Sequence, residues 1–276
     1  RRRSRHSRER AGEGGRKRAM SERKKLAVFF DLDDTLLWDE RSVKEAFERT
    51  CLEAAEAAGV DPAALEQAVR KEARNLFESY ETYSFTQMIG INPFEGLWGR
   101  FREGRAVEFR LLENIAPRYR KEAWTRGLKA FGVDDPQLGE RLGERFPEHR
   151  RSLAYVYEDT FQVLDALKGN VKLLLLTNGS PDLQREKLAG VPGLSEYFDH
   201  IVISGEYGRG KPDPGIFRHA LSLLDLHADE AIMIGDKLTT DILGASRVGM
   251  DNIWINRHGV QNDDAIKPKF AVNRLS

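Results

Sequence analysis

Five short apolar runs, each stopping at a polar residue or a glycine, decide what this chain can fold into. Leu26-Ala27-Val28-Phe29-Phe30 stops at Asp31, and Val171 to Leu176 stops at Thr177. Ile201-Val202-Ile203 precedes Ser204-Gly205, Ala231-Ile232-Met233-Ile234 precedes Gly235-Asp236, and Asn252-Ile253-Trp254-Ile255 is the fifth. Unbroken apolar runs of this length suit strands covered on both faces, the situation of a parallel sheet.

Helical patterns lie between these runs. Pro181 to Leu188 opens on a proline, as helix N-termini often do. Pro214 to Leu224 sets Ile216, Phe217, Ala220, Leu221 and Leu224 on one stripe, and Leu238 to Val248 follows the fourth strand. Strand–helix alternation predicts an α/β fold with a doubly wound parallel sheet. The interval between the first and second strands is too long for one crossover. From about Trp38 to about Leu153 the chain reads as all-helical. Val43 to Ala58 repeats apolar residues at helical spacing and stops at Gly59, and Asp61-Pro62 opens a second helix running to about Tyr80. Val107 to Phe131 and Pro136 to Phe146 are further helices, while Asn92 to Gly104, with Pro93, Gly96, Gly99 and Gly104, reads as a loop or short helices. The expected organisation is a core of residues 21–37 and 155–276, a helical insertion over 38–154, and a tail over 1–20.

Four polar sites recur where buried strands end, and ligands of open α/β sheets bind at the carboxyl ends of the strands. In Asp31-Leu32-Asp33-Asp34-Thr35, an extended chain would turn Asp31 and Asp33 to one side. A hard divalent cation such as Mg²⁺ resolves the repulsion between two such carboxylates. A carboxylate can also attack phosphorus as a nucleophile, and a neighbouring acid can protonate the leaving oxygen and then activate water. Thr177-Asn178-Gly179 puts a hydroxyl and free backbone N–H groups ahead of the Pro181 helix, which suits phosphate. Lys211, inside Gly210-Lys211-Pro212-Asp213-Pro214, is a cation in a stiff turn, able to hold phosphoryl oxygens. Asp236 directly follows a strand, in a metal ligand's position, and Asp241 could add metal affinity or fix Lys211.

Taken in this order, the sites resemble the haloacid dehalogenase (HAD) superfamily of phosphotransferases. Asp31-Leu32-Asp33-Asp34-Thr35 matches its first motif, Thr177 its second, Lys211 its third, and Asp236 with Asp241 its fourth. The helical segment looks like that family's cap, inserted after the first motif. The resemblance spans about residues 26–260 and implies a HAD-like Rossmannoid core with a helical cap. It also implies a Mg²⁺-dependent phosphomonoester hydrolase working through an aspartyl phosphate on a small phosphorylated metabolite. Asp31 would be nucleophile and metal ligand, and Asp33 the general acid/base and a metal ligand through its backbone carbonyl. Thr177 and Lys211 would hold the phosphoryl group, with the backbone of Leu32 and Asn178 in the cradle. Asp236 would ligate Mg²⁺, with Asp241 and Thr35 in support. Dehalogenases and phosphonatases of the superfamily typically lack the second acid of the first motif, so Asp33 favours phosphate esters. A sugar-phosphate mutase keeps both acids and stays an alternative, as does a phospho-aspartate receiver domain without turnover.

Charge and composition narrow the remaining classes. The overall net charge of zero divides into +7 over residues 1–20 and −7 over the rest. An acidic body disfavours a nucleic-acid enzyme, which carries a concentrated basic face. The basic tail has no apolar core of a secretory signal and is expected to be disordered. No window has the length of apolar sequence that a membrane span needs. Cys51 is the single cysteine, so no disulfide forms within the chain, which fits a reducing compartment such as the cytoplasm. Gly205 to Lys211 has the glycine and lysine spacing of a nucleotide-binding P-loop, but Pro212 stands where that loop needs Ser or Thr. In the insertion, Arg100, Arg102 and Arg105 with Phe94, Trp98 and Phe101 form a basic-aromatic stretch with two readings: part of it contacts the organic portion of a substrate, or it is a solvated basic loop packed by ordinary aromatics.

Overall fold

The apolar runs lie side by side in one sheet. A computed structural model describes residues 23–262 and 265–276, so the tail expectation falls outside the described residues. Strands β1 (Ala27–Phe30), β2 (Lys172–Thr177), β3 (His200–Ile203), β4 (Ala231–Gly235), β5 (Asp251–Ile255) and β6 (Phe270–Val272) form a six-stranded sheet of order β3-β2-β1-β4-β5-β6. Every pairing is parallel, with Phe29 opposite both Leu174 and Met233. Strand β1 therefore sits between β2 and β4, where the strand order reverses and crevices open at carboxyl ends.

Both faces of the sheet are covered, which explains the unbroken apolar runs. On one face Ala27, Phe29, Leu174, Leu176 and Met233 pack with Ile216, Phe217, Ala220 and Leu221 of helix α10 (Pro214–Leu223), and with Ala245 of α11 (Leu243–Arg247). On the other, Val28, Phe30, Leu173, Leu175 and Ile234 meet Leu164 of α7 (Thr160–Leu167) and Leu188 of α8 (Pro181–Ala189). A one-turn helix α9 (Ser204–Tyr207) follows β3. The helix expected over 238–248 instead opens as a π-turn, Leu238–Ile242, before α11. Strand β6 escapes a reading by apolar runs because it is three residues long and exposed at the sheet edge.

Between β1 and β2 stand α1 (Asp39–Ala58), α2 (Pro62–Ser79), α3 (Tyr83–Ile89), α4 (Pro93–Gly96), α5 (Val107–Lys129) and α6 (Pro136–Ser152), followed by α7. Gly59 ends α1 at φ 70°, a conformation glycine adopts without strain. Asp61 accepts from Ala64 N to cap α2, with Pro62 in the first turn. Helix α6 passes through Pro147 and ends six residues beyond Phe146, where its last turn is held by Arg150 pairing with Asp39. Phe47, Trp124 and Phe146 fill the centre of this bundle. The two connectors to the sheet domain run antiparallel: Trp38 N donates to Tyr155 O at 2.9 Å and Tyr157 N to Leu36 O at 3.2 Å. Among the described residues, no helix is long and apolar enough to cross a membrane.

Helices α5 and α6 approach closely because Gly139 has no side chain. A Cβ there would lie 2.0 Å from Thr125 Oγ1 and 2.9 Å from Thr125 Cα. Gly139→Ala is therefore expected to lower stability by about 1–3 kcal/mol through overpacking, as measured by urea denaturation. An unchanged midpoint would contradict this packing.

Candidate active site

Asp31 follows β1 directly, with Thr177 ending β2 on one side and Asp236 following β4 on the other. Lys211 lies beneath them, buried. Its ammonium donates to Asp31 Oδ1 at 2.9 Å, Asp241 Oδ1 at 2.7 Å and the Leu176 carbonyl at 2.6 Å. Burial alone would lower the lysine pKa, but Asp241 and Asp31 outweigh it and hold the ammonium above its ordinary value. The Asn178 side chain clamps the lysine backbone: its amide donates to Lys211 O at 3.0 Å and its carbonyl accepts from Lys211 N at 2.9 Å. Asn178 thus contributes its side chain to placing Lys211, a use beyond the backbone cradle that the sequence suggests.

Carboxylate oxygens of Asp31, Asp236 and Asp241 all lie within 4.8 Å of one another. The Thr35 hydroxyl bridges two of them, within 3.2 Å of Asp31 Oδ2 and 3.3 Å of Asp236 Oδ1. The Thr35 carbonyl accepts from Arg257 at 2.8 Å, which anchors the loop from behind. Burial and then the neighbouring carboxylates of Asp31 and Asp241 push Asp236 well above the usual carboxylate range. Burial, with Asp31 beside it, raises Asp241 to about 6 against the pull of Lys211. Asp241 follows the π-turn's first residues and uses its second oxygen to accept from Lys237 N at 3.1 Å. These are hard oxygen donors whose mutual repulsion one lysine only partly offsets, a donor set that suits a divalent cation.

Asp33 has a different set of partners. The chain does not stay extended past Asp31: Leu32 O accepts from the N–H groups of Leu36 and Leu37, both at 3.0 Å, and Asp34 takes φ 61°. The Asp33 carboxyl meets α8, where Gln184 and Lys187 each donate to Oδ2 at 3.0 Å. Gln184 also donates to Thr177 Oγ1 at 2.8 Å, linking the first two motifs. Burial raises the Asp33 carboxyl to about 7, against Lys187 and with the carboxylates of Asp39 and Glu95 adding to the rise. A carboxyl near neutrality can both give and take a proton.

Gln184 and Lys187 were legible only in part. They lie three apart and flank Leu183 and Leu188, on the face of α8 that the apolar pattern buries. A lysine inside such a stripe is the signal. In the basic-aromatic stretch, the rings of Trp98 and Phe101 are buried in the bundle core, as the packing alternative has it. Arg100 pairs with Glu186 at 3.3 Å, and Arg102 N donates to Asp182 at 2.9 Å, both on α8. Those polar groups serve packing of the insertion on α8. Gly205 to Lys211 runs from α9 into the buried lysine, and Gly210 N donates to Met88 O of α3 at 2.9 Å.

Comparison with known proteins agrees with this geometry. A family model described as haloacid dehalogenase-like hydrolase matches residues 26–249. The chain is 35% identical to phosphoserine phosphatase of Thermus thermophilus over 90% of this chain and 95% of that one. It is 29% identical to glyceraldehyde 3-phosphate phosphatase of Methanopyrus kandleri, over 90% and 93%. Rat N-acylneuraminate-9-phosphatase is 38% identical, but only 46% of this chain and 52% of that one align. Among solved structures, a magnesium-bound HAD hydrolase from Bacillus subtilis superposes with a TM-score of 0.63 at 20% identity, covering 92% of this chain and 96% of that one, a likeness of fold. The chain belongs to the haloacid dehalogenase-like hydrolase family. Within it, the chain is a phosphatase acting on small phosphorylated metabolites.

Lys211→Met leaves three close carboxylates without their cation. In metal-free buffer it is expected to cost about 3–5 kcal/mol of stability, read by urea denaturation in the presence of a chelator. A variant as stable as the parent would contradict the pairing described above.

Proposed function

We propose that this chain hydrolyses alkyl phosphomonoesters with Asp31 as nucleophile, Asp33 as acid/base and Mg²⁺ as the bound cation. The observation that carries the reading is the division of labour between the two acids. Asp31 is held by Lys211 among the carboxylates of Asp236 and Asp241, while Asp33 is held apart by Gln184 and Lys187. Two carboxyls in unlike surroundings suit two unlike roles.

In the first step an Asp31 oxygen attacks phosphorus and the bond from phosphorus to the ester oxygen breaks. The departing oxygen takes the proton that Asp33 carried, and leaves as the alcohol. In the second step Asp33, now a carboxylate, takes a proton from water as the water oxygen attacks the same phosphorus. Asp31 is regenerated, phosphate leaves, and Asp33 is protonated again. Lys211 and Thr177 neutralise and orient phosphoryl oxygens, with the backbone N–H groups after β1 and β2 beside them. Asp31, Asp236 and the Asp33 carbonyl would hold Mg²⁺, with Asp241 and Thr35 in support. When bound, the cation supplies charge for the phosphoryl oxygens and relieves the repulsion among these acids.

The alignment with the Thermus phosphoserine phosphatase along nearly its whole length makes O-phosphoserine the first substrate to test, with glyceraldehyde 3-phosphate second. A cytoplasmic site of action completes the reading, supported by the single buried thiol Cys51. Phosphate release from a panel headed by these two compounds should require Mg²⁺, fall to background with chelator and return when Mg²⁺ is restored. Asp31→Asn should lose at least about a thousandfold in kcat, since an amide is no comparable nucleophile. Near-parental turnover by that variant would sink the assignment.

A further inference from the structure

The charges around Asp33 extend across the boundary between the sheet domain and the helical insertion. The Lys187 side chain is 1% exposed and reaches three acids that come from three separate parts of the chain. It donates to Asp33 Oδ2 at 3.0 Å and to Glu95 Oε2 at 2.8 Å, with Asp39 Oδ1 at 3.8 Å. Asp33 lies in the loop after β1, Glu95 lies on α4 of the insertion, and Asp39 begins α1.

Glu95 is a rigid acceptor. Its other oxygen, Oε1, accepts from Asn92 N at 3.0 Å, while Asn92 Oδ1 accepts from Phe94 N and Glu95 N, both at 2.9 Å. This reciprocal cap, with Pro93 in the first turn, fixes the carboxylate to the short helix that carries it. The neighbouring segment is docked on the sheet domain. Ser204 Oγ donates to Ile89 O at 2.7 Å, and Gly210 N to Met88 O at 2.9 Å. Asp33, in turn, has one oxygen engaged and one not: Oδ2 accepts from Gln184 and Lys187, and Oδ1 is buried with no hydrogen-bond partner.

We propose that Lys187 is a positioning residue for Asp33, and that Glu95 makes this positioning depend on the docked insertion. Holding Oδ2 from two sides fixes the carboxyl rotamer from which Asp33 exchanges its proton with the substrate oxygen. When α4 is docked, Glu95 neutralises and orients the Lys187 ammonium. When α4 departs, Lys187 loses a charge partner and is free to leave Asp33. The acid/base is therefore set in place only while the insertion covers the site, which restricts proton transfer to the covered state. This inference rests on the phosphatase roles of Asp31 and Asp33 given above.

The test separates proton donation from general damage by changing the leaving group. An alkyl phosphate turned over by the parent enzyme needs its leaving oxygen protonated, whereas p-nitrophenyl phosphate does not. Lys187→Met should lose about a hundredfold or more in kcat on the alkyl ester, the scale of a general acid's contribution. Its single-turnover phosphorylation by p-nitrophenyl phosphate should stay within about threefold. Lys187→Arg should recover part of the loss. Glu95→Gln, which keeps the fold of α4 through its own amide carbonyl, should show the same selective loss at about tenfold, and decides the matter should Lys187→Met not fold. Equal losses on both substrates, or none on either, would overturn the positioning role while leaving the phosphatase reading intact. A parent enzyme without Mg²⁺-dependent turnover would overturn both.

Discussion

One buried ammonium, that of Lys211, holds the site together. It lies away from water among Asp31, Asp241 and the carbonyl of Leu176, and so ties the ends of β1 and β2 to the turn after β4. A buried charge is tolerated only when paired and hydrogen-bonded, and here every bond of the ammonium goes to a group from a different segment. The fold supplies those groups because β1 lies between β2 and β4. Asn178 completes the arrangement by gripping the lysine backbone. Three carboxylates within 4.8 Å would otherwise repel one another, and Lys211 with the Thr35 hydroxyl offsets part of that repulsion.

The second group of buried charges depends on the first for its meaning. Lys187, Glu95 and Asp39 join the helical insertion to the loop that follows Asp31. Burial alone would raise Asp39, yet Lys187 and Arg150 hold it below the usual carboxylate range, so the pairings dominate there. A centre built on charge at the strand ends is thus continued, through α8, into the part of the chain that covers it. The antiparallel connectors at Trp38–Tyr155 and Leu36–Tyr157 place α1 and α6 where these pairings can form.

Much of this was legible in the sequence, and the reasons differ by element. Five of the six strands, β1 to β5, are legible because burial on both faces demands unbroken apolar runs, and the polar residues ending them had to share one edge of the sheet. Strand β6, with both faces exposed, leaves no such trace. Helix α6 runs past the end that its sequence pattern predicts, because Pro147 removes a backbone donor only at a local cost that the pairing of Arg150 with Asp39 offsets from a distance. The expectation that Asp31 and Asp33 share surroundings assumed an extended chain, whereas the turn after Leu32 gives them separate partners. Glu95 leaves no trace in the sequence, and Gln184 and Lys187 only a faint one, because each is an ordinary helical residue until tertiary structure brings the three together.

The central claim is that Asp31 carries the phosphoryl group during turnover. The direct measurement is to quench the Mg²⁺-loaded enzyme in acid during steady turnover of its substrate, reduce with borohydride, and sequence the peptides by mass spectrometry. An acyl phosphate on Asp31 reduces to homoserine, so the account predicts homoserine at position 31 and no other modified carboxylate. Homoserine at Asp33, Asp236 or Asp241, or an unmodified Asp31 in enzyme caught during turnover, would contradict it.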